Sequence, residues 1–350
     1  METKIFSIIG DKNLPEALNE SAEIIKKGGL VVFPTETVYG LGADATNPDA
    51  TSKIYAAKGR PSDNPLIIHI ATPEDAEKYT FTNSTYYLLA EHFMPGPLTV
   101  VLPSRETIPT TTRGGLDTVA VRCPENVIAR ELIRESGVAI AAPSANLSGS
   151  PSPTTFEYAY SDMFGRVDAI INGGDCDFGL ESTIVSINSD ESLTLLRPGK
   201  ITKEDLESLG LSVTVANAVT ETLKEGERAI SPGMKYKHYA PKAPLILIDG
   251  KKESFVDYIK SEFNDGNKIA VIAYEDEADY ILSSLSYVDV YKFGARGDEE
   301  RQAQLLFKLL RDTDKKNYNI IFAPLPKASG IGLALYNRMI RAAAHNIIRL

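Results

Sequence analysis

The stretch KGRPSDNPLIIHI, residues 58–70, connects a pair of cations to a strand. Its last six residues, PLIIHI, form a short apolar run rich in isoleucine, which is typical of a buried strand. Pro61 and several polar residues precede this run, which itself begins at Pro65, and together they restrict the backbone more than a surface turn requires. We infer that Lys58 and Arg60 hold an anion at the start of this strand.

Short apolar runs recur on both sides of this stretch. We predict helices at residues 15–27, 49–59, 74–92 and 126–136, and strands in GLVVFPTE, PLTVVLP, DTVAVRCP, GVAIAAP, DAIINGG, STIVSI and LTLLRPG. Because several strands are short and close in sequence, a mixed, twisted sheet is favoured over a purely parallel one. The predicted N-terminal domain spans residues 1–210.

The second part of the chain has a different pattern. Residues 211–243 carry turn formers and charges without a sustained period, which predicts a linker. The runs LILID, KIAVIAY, VDVYKF and YNIIFAP then alternate with helical patterns, and the last helix is predicted at residues 330–349. This alternation predicts a parallel, Rossmann-like α/β domain at residues 244–350.

Composition limits the function classes. The chain has 350 residues and a net charge of −10, which disfavours non-specific nucleic-acid binding. There is neither an apolar run of about 18 residues, which a membrane helix needs, nor a signal-peptide pattern at the start. Cys123 and Cys176 lack CxxC spacing, so we expect two reduced thiols in a cytoplasmic protein.

Two nucleotide-binding fingerprints are incomplete. RPGKIT, residues 197–202, resembles the end of a phosphate-binding P-loop, but Thr194 occupies the position of the first glycine. GLGADA, residues 40–45, satisfies GxGxxA, but PTETVY separates it from the preceding strand. We therefore expect any ATP to be bound by other means.

Polar side chains cluster at the predicted strand ends of the N-terminal half. The hydroxyl and amide groups belong to Thr35, Thr37, Thr118, Ser144, Asn146, Ser148, Ser152, Ser182 and Thr183, and the cations are Lys58, Arg60, Arg122 and Arg197. Singly, such hydroxyls usually cap helices or form turns. Together they predict one pocket for a ligand with carboxylate and phosphate groups.

The cations differ in how strongly they indicate a site. Lys58 and Arg60 could also be a solvated helix end that the macrodipole favours. A guanidinium at Arg122, inside VAVRC, would be costly to bury without an anion or a carboxylate partner. The turn RGG, residues 113–115, offers amides for an anion nest. Since no nucleophile–base pair is evident, catalysis would depend on positioning and charge stabilisation.

The motifs also carry a family resemblance. FPTETVYGLGADA, KGRPSDNPLIIHI, TVAVRCP, APSANLSGSPSPT and STIVS…LLRPG resemble, in this order and spacing, the YrdC-type domain. SPGMKYKHYAP, followed by a small α/β domain, resembles the long, two-domain form of the threonylcarbamoyl-AMP synthases. The resemblance covers nearly the whole chain. It implies a YrdC-like twisted mixed sheet with a concave pocket, then a linker, then a Rossmann-like domain.

The resemblance implies a reaction. L-threonine, bicarbonate or carbon dioxide, and ATP would give threonylcarbamoyl-AMP and pyrophosphate, which makes the enzyme a nucleotidyltransferase. A separate threonylcarbamoyl transferase machinery would then modify the adenosine next to the anticodon in tRNA. Mg²⁺ would accompany ATP and be bound mainly by the nucleotide, with no protein ligands assigned. Stable direct binding of tRNA and membrane association are not expected.

The resemblance also implies roles for individual residues. Thr35, Arg60, Ile67, His69, Arg122, Ala142 and Ser182 would line the threonine side. Lys58, Ser62, Thr118, Ser144, Asn146, Ser152 and Arg197 would face ATP, with Tyr236 and His238 of the linker closing over the pocket as a lid. Lys58 and Arg60 are the catalytic candidates, and we expect both to be exposed in the empty enzyme.

Two other functions stay open from the sequence. A carbamoyltransferase of hydrogenase maturation uses the same domain among zinc-finger and acylphosphatase segments, for which these 350 residues have neither the cysteines nor the length. An RNA-binding module could use a concave basic surface. The acidic net charge and the lack of clustered aromatic residues disfavour it.

Overall fold

The computed structural model describes residues 2–8, 14–221, 238–263 and 266–350. These residues form two compact units. The first contains the described residues up to 148 and from 152 to 221, and the second contains residues 149–151 and the described residues from 238 onward. This division differs from the predicted boundaries at residues 210 and 243.

The first unit contains a mixed sheet. Its described strands are β1 (Lys4–Ser7), β2 (Val31–Phe33), β3 (Gly40–Asp44), β4 (Ile67–His69), β5 (Leu98–Pro103), β6 (Thr118–Arg122), β7 (Ile140–Ala141), β8 (Ala169–Asn172), β9 (Thr183–Ile187), β10 (Leu193–Arg197) and β11 (Val213–Val215). Their order is β1-β8-β2-β3-β7-β4-β6-β5-β9-β10-β11. The sheet contains both parallel pairs, such as β4–β6, and antiparallel pairs, such as β5–β6, which confirms the predicted mixed sheet. The prediction of a linker from residue 211 did not include β11.

The helices of the first unit are α1 (Leu14–Lys26), α2 (Pro48–Lys58), α3 (Ser84–Phe93), α4 (Val127–Ser136), α5 (Phe156–Met163) and α6 (Lys203–Glu207), with 3₁₀ turns at Pro73–Lys78 and Asn217–Val219. The single helix predicted at residues 74–92 was wrong. Thr80 instead forms a bridge with Ser104, and the Asn83 side chain caps the start of α3. An extended segment therefore separates the 3₁₀ turn from α3.

An apolar core supports the strands that carry the site. Leu18 and Ile25 of α1 and Leu132 of α4 share one buried cluster with Phe33 of β2 and Ile140 of β7. Both helices are amphipathic, so they bury their apolar stripes against the sheet. This packing holds the ends of β2 and β7, which lead into the site segments.

The second unit has a parallel sheet, as predicted. Its described strands are β12 (Leu245–Asp249), β13 (Ile269–Ala273), β14 (Val288–Lys292), β15 (Ile320–Pro324) and β16 (Ile347–Arg349), in the order β14-β13-β15-β12-β16, and its helices are α7 (Lys252–Glu262), α8 (Glu275–Ser284), α9 (Glu299–Thr313) and α10 (Gly332–Ala342). All described pairs of this sheet are parallel.

The last predicted helix is shorter than expected. It ends at Ala342 because Ala344 and His345 adopt positive φ angles of 48° and 61°, which an α-helix excludes. The chain then continues into β16, which pairs with β12. The prediction of a helix to residue 349 was therefore wrong at its C-terminal end.

The end of the predicted linker is packed in the second unit. Tyr239 is 4% exposed and stacks on Phe307 with ring centroids 5.1 Å apart. The Arg338 guanidinium lies 5.7 Å from the centre of the Tyr239 ring. Tyr236 and the rest of residues 222–237 lie outside the described residues, so the predicted lid stays a prediction. Within the described part of the chain, no helix combines the length and the apolar character needed to cross a membrane.

Candidate active site

Lys58 is buried at the C-terminal end of α2. Gly59 adopts a left-handed conformation with φ 61°, which ends the helix and turns the chain. The Lys58 ammonium, 3% exposed, donates to the backbone carbonyls of Ser144 and Asn146, the latter at 2.6 Å. The expectation of an exposed Lys58 was wrong, because carbonyls from a distant part of the chain solvate its charge.

The residues around Ser144 form a compact polar loop with Lys58. The Ser144 hydroxyl donates to Asn146 Oδ1 at 2.5 Å, and the Asn146 amide donates to the Leu147 carbonyl at 2.8 Å. The amide of Ser148 donates to the Lys58 carbonyl at 2.9 Å. Three residues predicted to face ATP, Lys58, Ser144 and Asn146, therefore lie together.

Arg60 holds the loop that enters β4. Its Nη2 donates to the carbonyls of Asn64 at 3.2 Å and Pro65 at 3.1 Å, and its guanidinium lies 6.0 Å from the Tyr55 ring centre. The side chain is partly buried, so the expectation of an exposed Arg60 was also wrong. Ser62 on the same loop is exposed.

Arg122 forms a buried ion pair. Its Nη2 lies 2.5 Å from Glu36 Oε1, and the two side chains are 5% and 7% exposed. The other carboxylate oxygen of Glu36 accepts from the Asn126 amide at 3.4 Å. Arg122 Nε has no hydrogen-bond partner among the described residues. The Nε–H of the guanidinium is therefore unpaired within the described structure, while Glu36 balances the charge.

His69 lies beside Arg122 on the sheet. The parallel register pairs His69 of β4 with Arg122 of β6, so their side chains share one face. Burial, and next the positive charge of Arg122, lower the pKa of His69 to about 3. The imidazole is therefore neutral at physiological pH, and within the described structure its Nδ1 has no hydrogen-bond partner.

Thr35 builds the turn that carries Glu36. Its hydroxyl donates to the Val38 carbonyl at 2.6 Å and accepts from the amides of Thr37 and Val38, both at 3.2 Å. The Thr37 hydroxyl is 2.9 Å away. These bonds occupy the Thr35 oxygen, so its contribution seen here is to shape the turn after β2.

Arg197 makes two hydrogen bonds to Ser182. The guanidinium donates from Nε to the Ser182 carbonyl and from Nη2 to the Ser182 hydroxyl, both at 3.0 Å. A register shift between Leu195 and Arg197 marks a bulge where β10 pairs with β9, and a bulge redirects a side chain. The Ser182 hydroxyl also lies 2.7 Å from the Thr99 hydroxyl on β5.

The remaining predicted residues occupy separate positions. Ile67 and Ala142, 6% and 5% exposed, are adjacent, and the Ala142 amide donates to the Ile67 carbonyl at 2.9 Å. The Ser152 hydroxyl donates to Glu181 at 2.5 Å. Thr118 is partly buried at the start of β6. His238 belongs to the second unit, where its ring lies 5.3 Å from that of Tyr239.

The predicted anion nest was wrong. Gly114 and Gly115 do adopt positive φ angles of 58° and 78°. Their amides, however, donate to the carbonyls of Thr111 at 3.4 Å and Thr110 at 2.9 Å. The turn therefore uses these donors internally, and they do not form a concavity for an anion.

Three site residues were not predicted. Glu36, Glu181 and Thr99 contact predicted residues, namely Arg122, Ser152 and Ser182. Glu36 had a signal in the sequence, because the cost of burying Arg122 required a carboxylate and FPTET offers one after a strand. Thr99 had none, since a threonine inside PLTVVLP is ordinary for a strand.

The titratable groups of the described residues include two free thiols and no metal-binding cluster. In the described ranges no three residues of the His, Cys, Asp or Glu types come together as a metal site. Both cysteines are free thiols, and burial raises the pKa of Cys123 to about 12 and raises the pKa of Cys176 as well. Neither thiol is activated as a nucleophile.

Family models match both parts of the chain. The Sua5, YciO and YrdC model, described as "Telomere recombination", matches residues 23–199. The model for the C-terminal domain of threonylcarbamoyl-AMP synthase matches residues 201–344. The two matches follow each other along the chain and cover both predicted domains.

Full-length relatives are similar over nearly the whole chain. The threonylcarbamoyl-AMP synthase of Bacillus subtilis is 42% identical over 332 residues, which are 94% of this chain and 94% of that protein. The enzyme of the same name from Pyrococcus abyssi is 40% identical and covers 94% of this chain and 95% of its own length. The crystal structure of P. abyssi Sua5 complexed with L-threonine superposes with a TM-score of 0.90 at 38% identity, covering 99% of this chain and 100% of the other.

Proposed function

The chain belongs to the threonylcarbamoyl-AMP synthase family, and we propose that it converts L-threonine, bicarbonate and ATP into threonylcarbamoyl-AMP, pyrophosphate and water. The class of the reaction is nucleotidyl transfer from ATP. It is the first step toward threonylcarbamoyladenosine in tRNA, which a downstream transferase machinery completes.

One arrangement carries the proposal. His69, Arg122 and Thr99 are neighbours in three adjacent strands, and Thr99 leads to Ser182 and Arg197. A row of neutral and cationic donors suits a substrate with a carboxylate, and a structure of a relative is described as a complex with L-threonine. We assign threonine to His69, Arg122 and Ser182 of this row and to the adjacent apolar pair Ile67 and Ala142.

The Lys58 loop supports the nucleotide assignment. A buried ammonium held by the Ser144 and Asn146 carbonyls places a fixed positive charge beside two polar side chains. A fixed charge needs no reorganisation when negative charge develops, so it stabilises a phosphoryl transition state effectively. We assign Lys58 to the phosphates or the carbamate, and Arg60 to the threonine carboxylate or the carbamate.

The proposed chemistry requires no protein nucleophile. The threonine amine and bicarbonate, or carbon dioxide derived from it, form a carbamate. A carbamate oxygen attacks the α-phosphorus of ATP, the bond between the α-phosphorus and the bridging oxygen breaks, and pyrophosphate leaves. Mg²⁺ enters with ATP as part of that substrate. The protein's share is to orient the two reactants and stabilise the charge.

Pyrophosphate release tests this proposal. The full-length enzyme is assayed with ATP, L-threonine and bicarbonate, and each component is omitted in turn. We expect release only when all three are present, and threonylcarbamoyl-AMP as the nucleotide product. Release at the full rate without threonine would refute the assignment.

The proposed partners are small molecules and the downstream transferase. An RNA-binding module is disfavoured by the net charge of −10. Filter binding with tRNA across salt concentrations distinguishes the two, since tight and steeply salt-dependent binding would indicate the module. We also propose a cytoplasmic location, which agrees with the two free thiols.

A further inference from the structure

Thr99 contacts the site through a single side-chain bond. It lies in β5, is 0% exposed, and its hydroxyl is 2.7 Å from the Ser182 hydroxyl. Among the described residues, this is the one hydrogen-bond partner of the Thr99 hydroxyl. The register of β5 places Thr99 beside Arg122, so it stands in the same row as His69.

The donors around Ser182 decide which hydroxyl donates in the bond between Thr99 and Ser182. Arg197 can only donate, so the Ser182 oxygen accepts from its Nη2. Both hydroxyls are 0% exposed, and either could be the donor of the bond between them. The Thr99 proton has no other acceptor among the described residues, whereas a bound substrate can accept the Ser182 proton, so we take Thr99 as the donor. With Thr99 and Arg197 both donating to it, the Ser182 oxygen has used its two lone pairs.

The Ser182 proton is then left to donate. Its orientation is set by the two incoming bonds, which occupy the other positions around the oxygen. A neighbouring guanidinium also withdraws electron density and strengthens the hydroxyl as a donor. The side chain therefore presents one oriented O–H, rather than a freely rotating one.

We propose that Thr99 is a positioning residue for substrate binding, which orients the Ser182 hydroxyl as a donor to a carboxylate or carbamate oxygen of threonine. This rests on the proposed function, since it takes the threonine site to be at Ser182. Thr99 itself does not touch the substrate. Loss of its hydroxyl releases the Ser182 proton to rotate and weakens the bond to the substrate.

Thr99→Val is the decisive variant because valine keeps the shape and removes the hydroxyl. In the full-length enzyme we expect the Kd for threonine, measured by calorimetry without ATP, and the KM for threonine both to rise about tenfold. The KM for ATP should stay within about twofold, since the Lys58 loop is unchanged. Thr99→Ser keeps the hydroxyl, and we expect it to restore the KM for threonine.

A double-mutant cycle shows whether the effect passes through Ser182. In a Ser182→Ala background, Thr99→Val should add little to the loss already present. Thr80→Val is the matched control, because Thr80 is also fully buried and its hydroxyl donates to the Ala76 carbonyl at 2.9 Å. It should leave both KM values unchanged.

Three results would overturn the inference. One is a wild-type KM for threonine in Thr99→Val. Another is equal losses for threonine and ATP that Thr99→Ser does not restore, which would indicate a merely structural residue. The last is full additivity with Ser182→Ala. A wild-type enzyme that neither binds threonine nor releases pyrophosphate would instead refute the proposed function, and this inference with it.

Discussion

Glu36 neutralises Arg122 inside the first unit, with 2.5 Å between the carboxylate and the guanidinium. The two residues are 86 positions apart, and both are nearly inaccessible to solvent. The charge of Arg122 is therefore already balanced within the protein. Arg122 Nε has no hydrogen-bond partner among the described residues, and Glu36 holds the guanidinium in place.

Removing Glu36 should destabilise the first unit. Glu36→Ala leaves the Arg122 charge buried and unpaired, which commonly costs about 3–5 kcal/mol. We expect a clear fall in the free energy of unfolding, measured by urea denaturation, with a smaller fall for the isosteric Glu36→Gln. Glu23→Ala, which breaks the surface pair with Lys26, should leave unfolding unchanged. Equal effects of the Glu36→Ala and Glu23→Ala variants would contradict this account.

Lys58 should matter for both turnover and stability. Lys58→Met removes the charge and the donor to Ser144 and Asn146. We expect pyrophosphate release to slow roughly ten- to a hundredfold and the melting temperature to fall. The control is Lys53→Met on the same helix. The Lys53 ammonium donates to the Gly28 carbonyl at 2.6 Å, and neither residue belongs to the candidate site. Wild-type turnover in Lys58→Met would show that the charge has no catalytic part.

His69 should make the fold sensitive to acid. Its pKa is 6.5 when unperturbed and about 3 in the folded protein, so the unfolded chain binds more protons between these values. Stability therefore falls as pH drops from 6.5 toward 3, by about 2 kcal/mol from His69 between pH 6.5 and 5. We expect His69→Asn to lose this part of the pH dependence in denaturation curves. An identical slope in both proteins would show that His69 is protonated in the folded state.

Ile67 and Ala142 should select threonine over serine. An apolar contact with the extra methyl is worth roughly ten- to two-hundredfold in kcat/KM. We expect serine to be the poorer substrate by such a factor, and Ile67→Val to reduce the ratio by loosening the contact. Ile68→Val is the control, since successive strand residues point to opposite faces. If Ile68→Val changes the ratio as much as Ile67→Val, the methyl is recognised elsewhere.

Several features followed from local sequence. The apolar runs predicted most strands, because a strand buried on both faces needs consecutive apolar side chains whatever its partners are. The alternation of strands and helices in the second half predicted its parallel sheet, because a helix between two strands returns the chain to the same edge of the sheet. The cations Lys58, Arg60, Arg122 and Arg197 could be named as a group because each follows or leads into a strand end.

The partners of those cations came from the tertiary structure. Lys58 reaches the Ser144 and Asn146 carbonyls because backbone hydrogen bonds of Pro143 and Ala145 hold that loop against the chain at β3. No local sequence pattern shows this pairing. Backbone carbonyls carry no signature in the sequence, so a lysine at a helix end has the same pattern whether it is solvated or buried.

What the sequence by itself determined was which residues can form strands, helices and charges, since these depend on each residue and its near neighbours. Only the tertiary structure decided that β5 lies between β6 and β9, which brings Thr99 to Ser182 from 83 positions away. Strand order is the outcome of burying all apolar faces at once. A hydroxyl in the middle of a strand gains a role only when that order gives it a neighbour.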